Sequence, residues 1–199
     1  MRHIPVLPTL LCLALAACGT VDRRIDPDAP DPVGGANLRS QDIRTMADEM
    51  ARDIREYGIL SNASRENPVS FYISELRNDT SDVIDKEIIL YKIRTELFRA
   101  MKGDVFIIDR SKEGLEAIRE ERAAKRAQAV AANPDMAKDL AGSDYILKGV
   151  IKERRAQSGD LKSVYYLVTF ELTDLESGRL SWTNDYEAKF ESEKSVITR

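Results

Sequence analysis

The chain has 199 residues, with 30 Lys and Arg against 34 Asp and Glu, a formal charge of −4, and no basic stripe free of interleaved acids, which argues against nucleic acid as a partner. Its one histidine is His3 and its two cysteines are Cys12 and Cys18. Beyond Cys18 the chain therefore has no Ser-His triad, no Cys-His nucleophile, no histidine or thiolate zinc site and no internal disulfide.

Met1-Arg2-His3 makes a short basic start to an apolar run from Ile4 to Leu15. A hydrocarbon core takes about 20 helical residues to cross, so the run reads as a cleaved leader rather than a permanent span. It closes on Leu15-Ala16-Ala17-Cys18, small residues before a thiol, which resembles the lipobox of bacterial lipoproteins. That resemblance implies removal of residues 1–17 and lipid, palmitate included, on Cys18 as the first mature residue. Each acyl chain would add about 0.8 kcal/mol per buried methylene.

From Gly19 to Arg39 the chain is rich in Asp, Pro and Gly, as in Asp26-Pro27-Asp28-Ala29-Pro30-Asp31-Pro32. Such a segment has too few apolar side chains to offset its ordering entropy, so residues 18–39 read as a lipid anchor and flexible tether. Fully extended it reaches about 70 Å, and as a coil about 25 Å. Residues 40–199 are expected to form one globular domain.

Ser40 is a predicted N-cap for a helix whose apolar positions Ile43, Met46, Ala47, Met50, Ile54 and Tyr57 recur at three- and four-residue steps, with Gly58 as its end. Alternation over Val69 to Leu76 predicts a strand, and Arg77-Asn78-Asp79-Thr80-Ser81-Asp82 a polar loop. A second helix follows, with Ile88, Tyr91, Leu97, Phe98 and Met101 assigned to its packed side and Gly103 to its C-cap. Val105 to Ile108 is a short strand, and Asp109-Arg110-Ser111 opens a third helix running to about Ala132, before Pro134.

Tyr145 to Ile151 and Val164 to Leu172 read as an antiparallel hairpin turning at Gly159-Asp160. Glu176-Ser177-Gly178 turns into a last strand from Arg179 that extends towards Tyr186. The order is helix and strand in alternation, then three consecutive strands. It predicts an α+β fold, with a mixed sheet of about four to five strands packed with three to four helices.

Carboxylate pairs such as Glu120 with Glu121, or Asp104 with Asp109, sit in charge-dense segments and read as surface residues rather than a wall hydrolase's acid and base. The third helix carries Arg119, Arg122, Lys125 and Arg126 among Glu113, Glu116, Glu120 and Glu121, with a sparse stripe of Leu115, Ile118 and Val130. Such a helix is either a solvated surface or a basic ridge for an acidic protein partner. Trp182, the only tryptophan, reads as a core anchor.

Several segments in order resemble the LpoB family, outer-membrane lipoproteins that activate class A penicillin-binding proteins. They are Arg77-Asn78-Asp79-Thr80, Ile84-Asp85, Lys92-Ile93-Arg94-Thr95-Glu96-Leu97, Phe106-Ile107-Ile108-Asp109-Arg110, Asp144-Tyr145-Ile146-Leu147-Lys148-Gly149 and Glu176-Ser177-Gly178-Arg179-Leu180-Ser181-Trp182. The resemblance spans about Val69 to Phe190. It implies a domain similar to the N-terminal domain of TolB, held at the outer membrane and facing the periplasm. It implies a peptidoglycan synthase as partner and no catalytic residue, cofactor, metal or small-molecule substrate. Gly19, rather than Asp, after the anchor is compatible with outer-membrane sorting. The partner-binding candidates are Arg77, Asn78 and Asp79 in the loop and Arg119, Arg122 and Arg126 on the ridge. The alternative is a lipoprotein of an envelope assembly or secretion complex.

Overall fold

A computed structural model describes residues 23–32, 34–57, 60, 63–101, 103–129 and 142–193, with side chains in the third helix described as far as residue 126. The leader and Cys18, Gly58, Val130 and the expected end of the third helix near Ala132 lie outside the described residues. Among the described residues no helix is long and apolar enough to cross a membrane.

Three helices and five strands follow one another as α1 (Ser40–Tyr57), β1 (Val69–Asp79), α2 (Lys86–Met101), β2 (Val105–Ile107), α3 (Lys112–Ala129), β3 (Tyr145–Ser158), β4 (Leu161–Asp174) and β5 (Leu180–Glu193). The strands form one mixed sheet in the order β2-β1-β3-β4-β5. β2 and β3 flank β1 in parallel, while β4 and β5 continue antiparallel, so the protein is α+β. The three C-terminal strands are longer than the sequence pattern suggests. Their distal halves overrun β1, whose pairing with β3 stops at Asp79 and Lys152.

One sheet face carries the core. Phe71 and Leu76 of β1, Leu147 and Ile151 of β3, and Val164, Tyr166, Val168, Phe170 and Leu172 of β4 are all buried. α1 adds Met46, Met50 and Ile54, and α2 adds Ile89, Ile93, Leu97 and Met101, to the same cluster. Trp182 is 8% exposed, and its indole N–H donates to the Asp53 carboxylate of α1 at 2.7 Å. It anchors α1 to β5, as a core tryptophan with a satisfied polar end does. The Tyr186 hydroxyl, four residues further along β5, donates to Asp42 of the same helix at 2.8 Å.

Two local expectations change. Ser40 does not cap α1 with its own hydroxyl. Its backbone N–H and hydroxyl both go to the Asp31 carboxylate, while Asp42 reaches back to the Arg39 N–H at 2.7 Å. The capping role thus falls to an acid at the third helical position, a geometry that also satisfies a free N-terminal donor. On α2, Leu97 and Met101 are buried as expected, but Ile88, Tyr91 and Phe98 face outward at 55%, 58% and 70% exposure. Both sides of this helix are apolar, so spacing alone does not tell the packed side from the open one.

The segment before α1 is held at several points. Asp28 pairs with Arg44, the Ala29 carbonyl accepts from the Gln41 side chain, and Ala36 and Leu38 pack on the core. The Arg39 guanidinium lies 5.3 Å from the centre of the Phe190 ring on β5.

Candidate partner-docking surface

The candidates Arg77, Asn78 and Asp79 are the last residues of β1, not a free loop. Register explains why the strand continues through polar residues: Arg77 pairs with Val150, Asn78 with Ile151 and Asp79 with Lys152. Backbone pairing with a long neighbour overrides the low strand propensity of Asn and Asp. Alternation then divides the three. Asn78 shares the core side of the sheet with Leu76, whereas Arg77 and Asp79 point to the opposite, outer face.

Arg77 and Asp79, two residues apart on that face, form a charged pair. The Arg77 Nε donates to both Asp79 oxygens at 2.9 and 3.1 Å, and a terminal guanidinium nitrogen lies 2.9 Å from Oδ2. The Asp79 carboxylate raises the Arg77 pKa above its ordinary value. Both side chains remain open, at 69% and 37% exposure, so the pair is presented to solvent with little direct effect on stability.

Asn78 has a different task. Its amide nitrogen donates to the Asp82 carbonyl at 2.9 Å, and its Oδ1 accepts from the Thr80 N–H and hydroxyl at 3.1 and 2.7 Å. It therefore ties the turn after β1 to the strand, as short amide side chains do.

Beyond it, the turn is pinned to the overrunning strands. Glu153 of β3 accepts from the Ser81 N–H at 2.9 Å and from its hydroxyl at 2.6 Å. Arg155 donates to Glu153 at 2.8 Å and pairs with Asp82. The Tyr166 hydroxyl of β4 contacts both Asp82 and the Ala36 carbonyl, the latter at 3.3 Å. Arg155 and then Ser81 hold the Glu153 carboxyl at about 2. Burial, then Asp82, pushes the Tyr166 hydroxyl well above its ordinary value. These partners lie more than 70 residues from the turn, and no local pattern in the sequence announces them.

Arg119, Arg122 and Arg126 occupy one side of α3 at three- and four-residue steps; Arg119 and Arg126 are exposed and Arg122 is half-buried. No residue from 112 to 126 is buried, so this helix stands on the surface, with Lys125 paired to Glu121 at 3.1 Å. The two candidate sets thus belong to different elements, one in the sheet and one on the crossover between β2 and β3. Glu120, Glu121 and Asp109 are exposed, and Asp109 is engaged locally by the Ser111 N–H and hydroxyl at 2.9 and 2.6 Å. Among the described residues, no group of three or more His, Cys, Asp or Glu is arranged to hold a metal ion.

Fold and surface together define a small α+β module that displays a pinned, charged sheet end. The family model for the peptidoglycan-synthase activator LpoB matches residues 42–188, and the chain belongs to this family. Among solved structures, it is similar to the LpoB C-terminal domain of Escherichia coli, at 10% identity over 74% of this chain and 98% of that one, with a TM-score of 0.43. The Salmonella enterica domain matches at 11% identity over 73% and 94%, with a TM-score of 0.39. Lipoprotein GNA1162 from Neisseria meningitidis matches at 16% identity over 65% and 88%, with a TM-score of 0.41. A search of curated proteins found no match.

Proposed function

We propose that this member of a peptidoglycan-synthase activator family is an outer-membrane lipoprotein. In this reading it is anchored through lipid on Cys18, binds a class A penicillin-binding protein from the periplasmic side and raises its synthetic rate without chemistry of its own. The observation that carries the reading is the family match over residues 42–188. Activation without turnover requires that the chain bind the active conformation of the synthase more tightly than the inactive one, because a ligand shifts an equilibrium only by its differential affinity.

Arg77 and Asp79 are the first docking candidates, because their charges are exposed at the end of β1, beside a turn that Asn78, Glu153, Arg155 and Tyr166 pin in place. Charged groups on a fixed scaffold steer encounter and set register. Arg119, Arg122 and Arg126 form a second candidate set. Asn78 acts in this scheme by holding the turn rather than by touching the partner.

The test measures association of the soluble domain with a class A synthase from its own organism. Reversal at the first set, Arg77→Glu with Asp79→Lys, should slow association while leaving the unfolding midpoint unchanged, since exposed charges act mainly on the on-rate. The triple reversal of Arg119, Arg122 and Arg126 to Glu reports on the ridge in the same way. Unchanged association in both variants would place the docking surface elsewhere.

A further inference from the structure

Next to the Arg77 and Asp79 pair, which β1 sets beside Val150 and Lys152, the outer face of the sheet has a charge pattern across β3, β4 and β5 that the synthase reading does not use. Register aligns its side chains in rows across β3, β4 and β5: Lys148-Glu171-Thr183, Val150-Thr169-Asp185, Lys152-Leu167-Glu187, Arg154-Tyr165-Lys189 and Ala156-Ser163-Glu191. The β3 file contributes three exposed cations, Lys148, Lys152 and Arg154. The β5 file contributes Asp185, Glu187, Glu191 and Glu193 against the single Lys189, all exposed. Between them, half-buried Val150, Leu167, Tyr165 and Thr169 make a mostly apolar centre, with Leu161 at 40% exposure near the tip. Opposite charges therefore stand on the two sides of an apolar strip, two strands apart.

We infer that this face is a self-complementary interface, and that its occupant is the same face of a second copy of this chain. The argument is one of charge and symmetry. A two-fold axis running along β4, above the face, sets β3 of one copy over β5 of the other and keeps the rows in step. Lys152 then meets the second copy's Glu187, Val150 lies beside Asp185, and Leu167 and Tyr165 meet their own counterparts in the centre. Two rows set like charges together: Arg154 over Lys189, and Glu171 over its own counterpart, the latter flanked by Lys148 of each copy. The alternative axis, across the strands, stacks β3 on β3 and β5 on β5, so like charges oppose it. Aligned stacking of two sheets about 10 Å apart is an ordinary packing mode, and an isologous interface uses the same patch twice.

Sedimentation equilibrium of the whole mature chain, residues 18–199 with Cys18→Ser so that neither lipid nor thiol contributes, tests this directly. The wild-type face should give a monomer–dimer equilibrium that weakens as salt rises. Lys152→Glu and Glu187→Lys should each weaken it about tenfold or more, because symmetry turns one reversal into two repulsive contacts. The double variant should recover association, since it swaps the partners and keeps the pairing. Circular dichroism and Trp182 fluorescence establish that each variant is folded. A chain that stays monomeric throughout overturns the inference. So does a dimer that either single reversal leaves intact, or a double variant that fails to recover.

Discussion

Glu153 shows how a single carboxylate organises the candidate surface. It receives two donors from Ser81 and one from Arg155, and its folded pKa of about 2 lies below its ordinary 4.5. A depressed acid stabilises the fold fully above its unfolded pKa, and loses that contribution as pH falls through the folded one. The stability advantage of wild type over Glu153→Gln in urea unfolding should therefore be complete near pH 5 and shrink on acidification towards about pH 2. An advantage that does not depend on pH over this window would show that the carboxylate is not the group holding the turn. Gly149 is constrained differently. A Cβ there would come within 2.7 Å of Leu76 Cδ1 and Phe170 Cε1, both buried. Gly149→Ala should lower stability by about 1–3 kcal/mol through overpacking, read from the denaturation midpoint at unchanged slope.

Helix α2 and strand β1 mark where the sequence could and could not be read. Periodicity placed all three helices and the C-terminal hairpin, and Gly103, with φ of 91°, closes α2 in the left-handed region that spacing assigned to it. Periodicity did not orient α2, because Ile88, Tyr91 and Phe98 form a second apolar file alongside that of Ile89, Ile93 and Leu97. Only the helix's position over the sheet separates the two. Leu97→Ala should cost about 2–5 kcal/mol, whereas Phe98→Ala should stay within about 0.5 kcal/mol. Comparable losses at both positions would mean that the outward side is covered in the folded chain. The end of β1 was misread for a related reason: Arg77-Asn78-Asp79 carries the composition of a loop, but the strand is imposed by β3 some 70 residues away. Nor is the network of Asp82, Glu153, Arg155 and Tyr166 visible locally, since each member reads alone as a solvated strand or turn residue.

At the scale of the whole molecule, the domain is a sheet with its core on one side, an N-terminal segment laid against that side and a proposed lipid anchor beyond it. Contacts from Asp28, Asp31, Ala36, Leu38 and Arg39 divide the expected tether physically. Trypsin acting on residues 18–199 with Cys18→Ser should cut first after Arg23 and Arg24, which are exposed, and spare Arg39, whose guanidinium lies over Phe190. Early cleavage after Arg39 would show that the segment is not held in solution. Cys18→Ala should leave an unprocessed precursor that takes up no labelled fatty acid, because no other thiol stands at the proposed cleavage site. The most direct test of the account is the glycan-polymerisation rate of a class A penicillin-binding protein from the same organism, measured with and without this chain lacking its lipid. The account predicts a saturable rise in rate on adding the chain, and no reaction of peptidoglycan or its precursor with the chain alone. An unchanged synthase rate at saturating chain, or turnover by the chain in the synthase's absence, would contradict it.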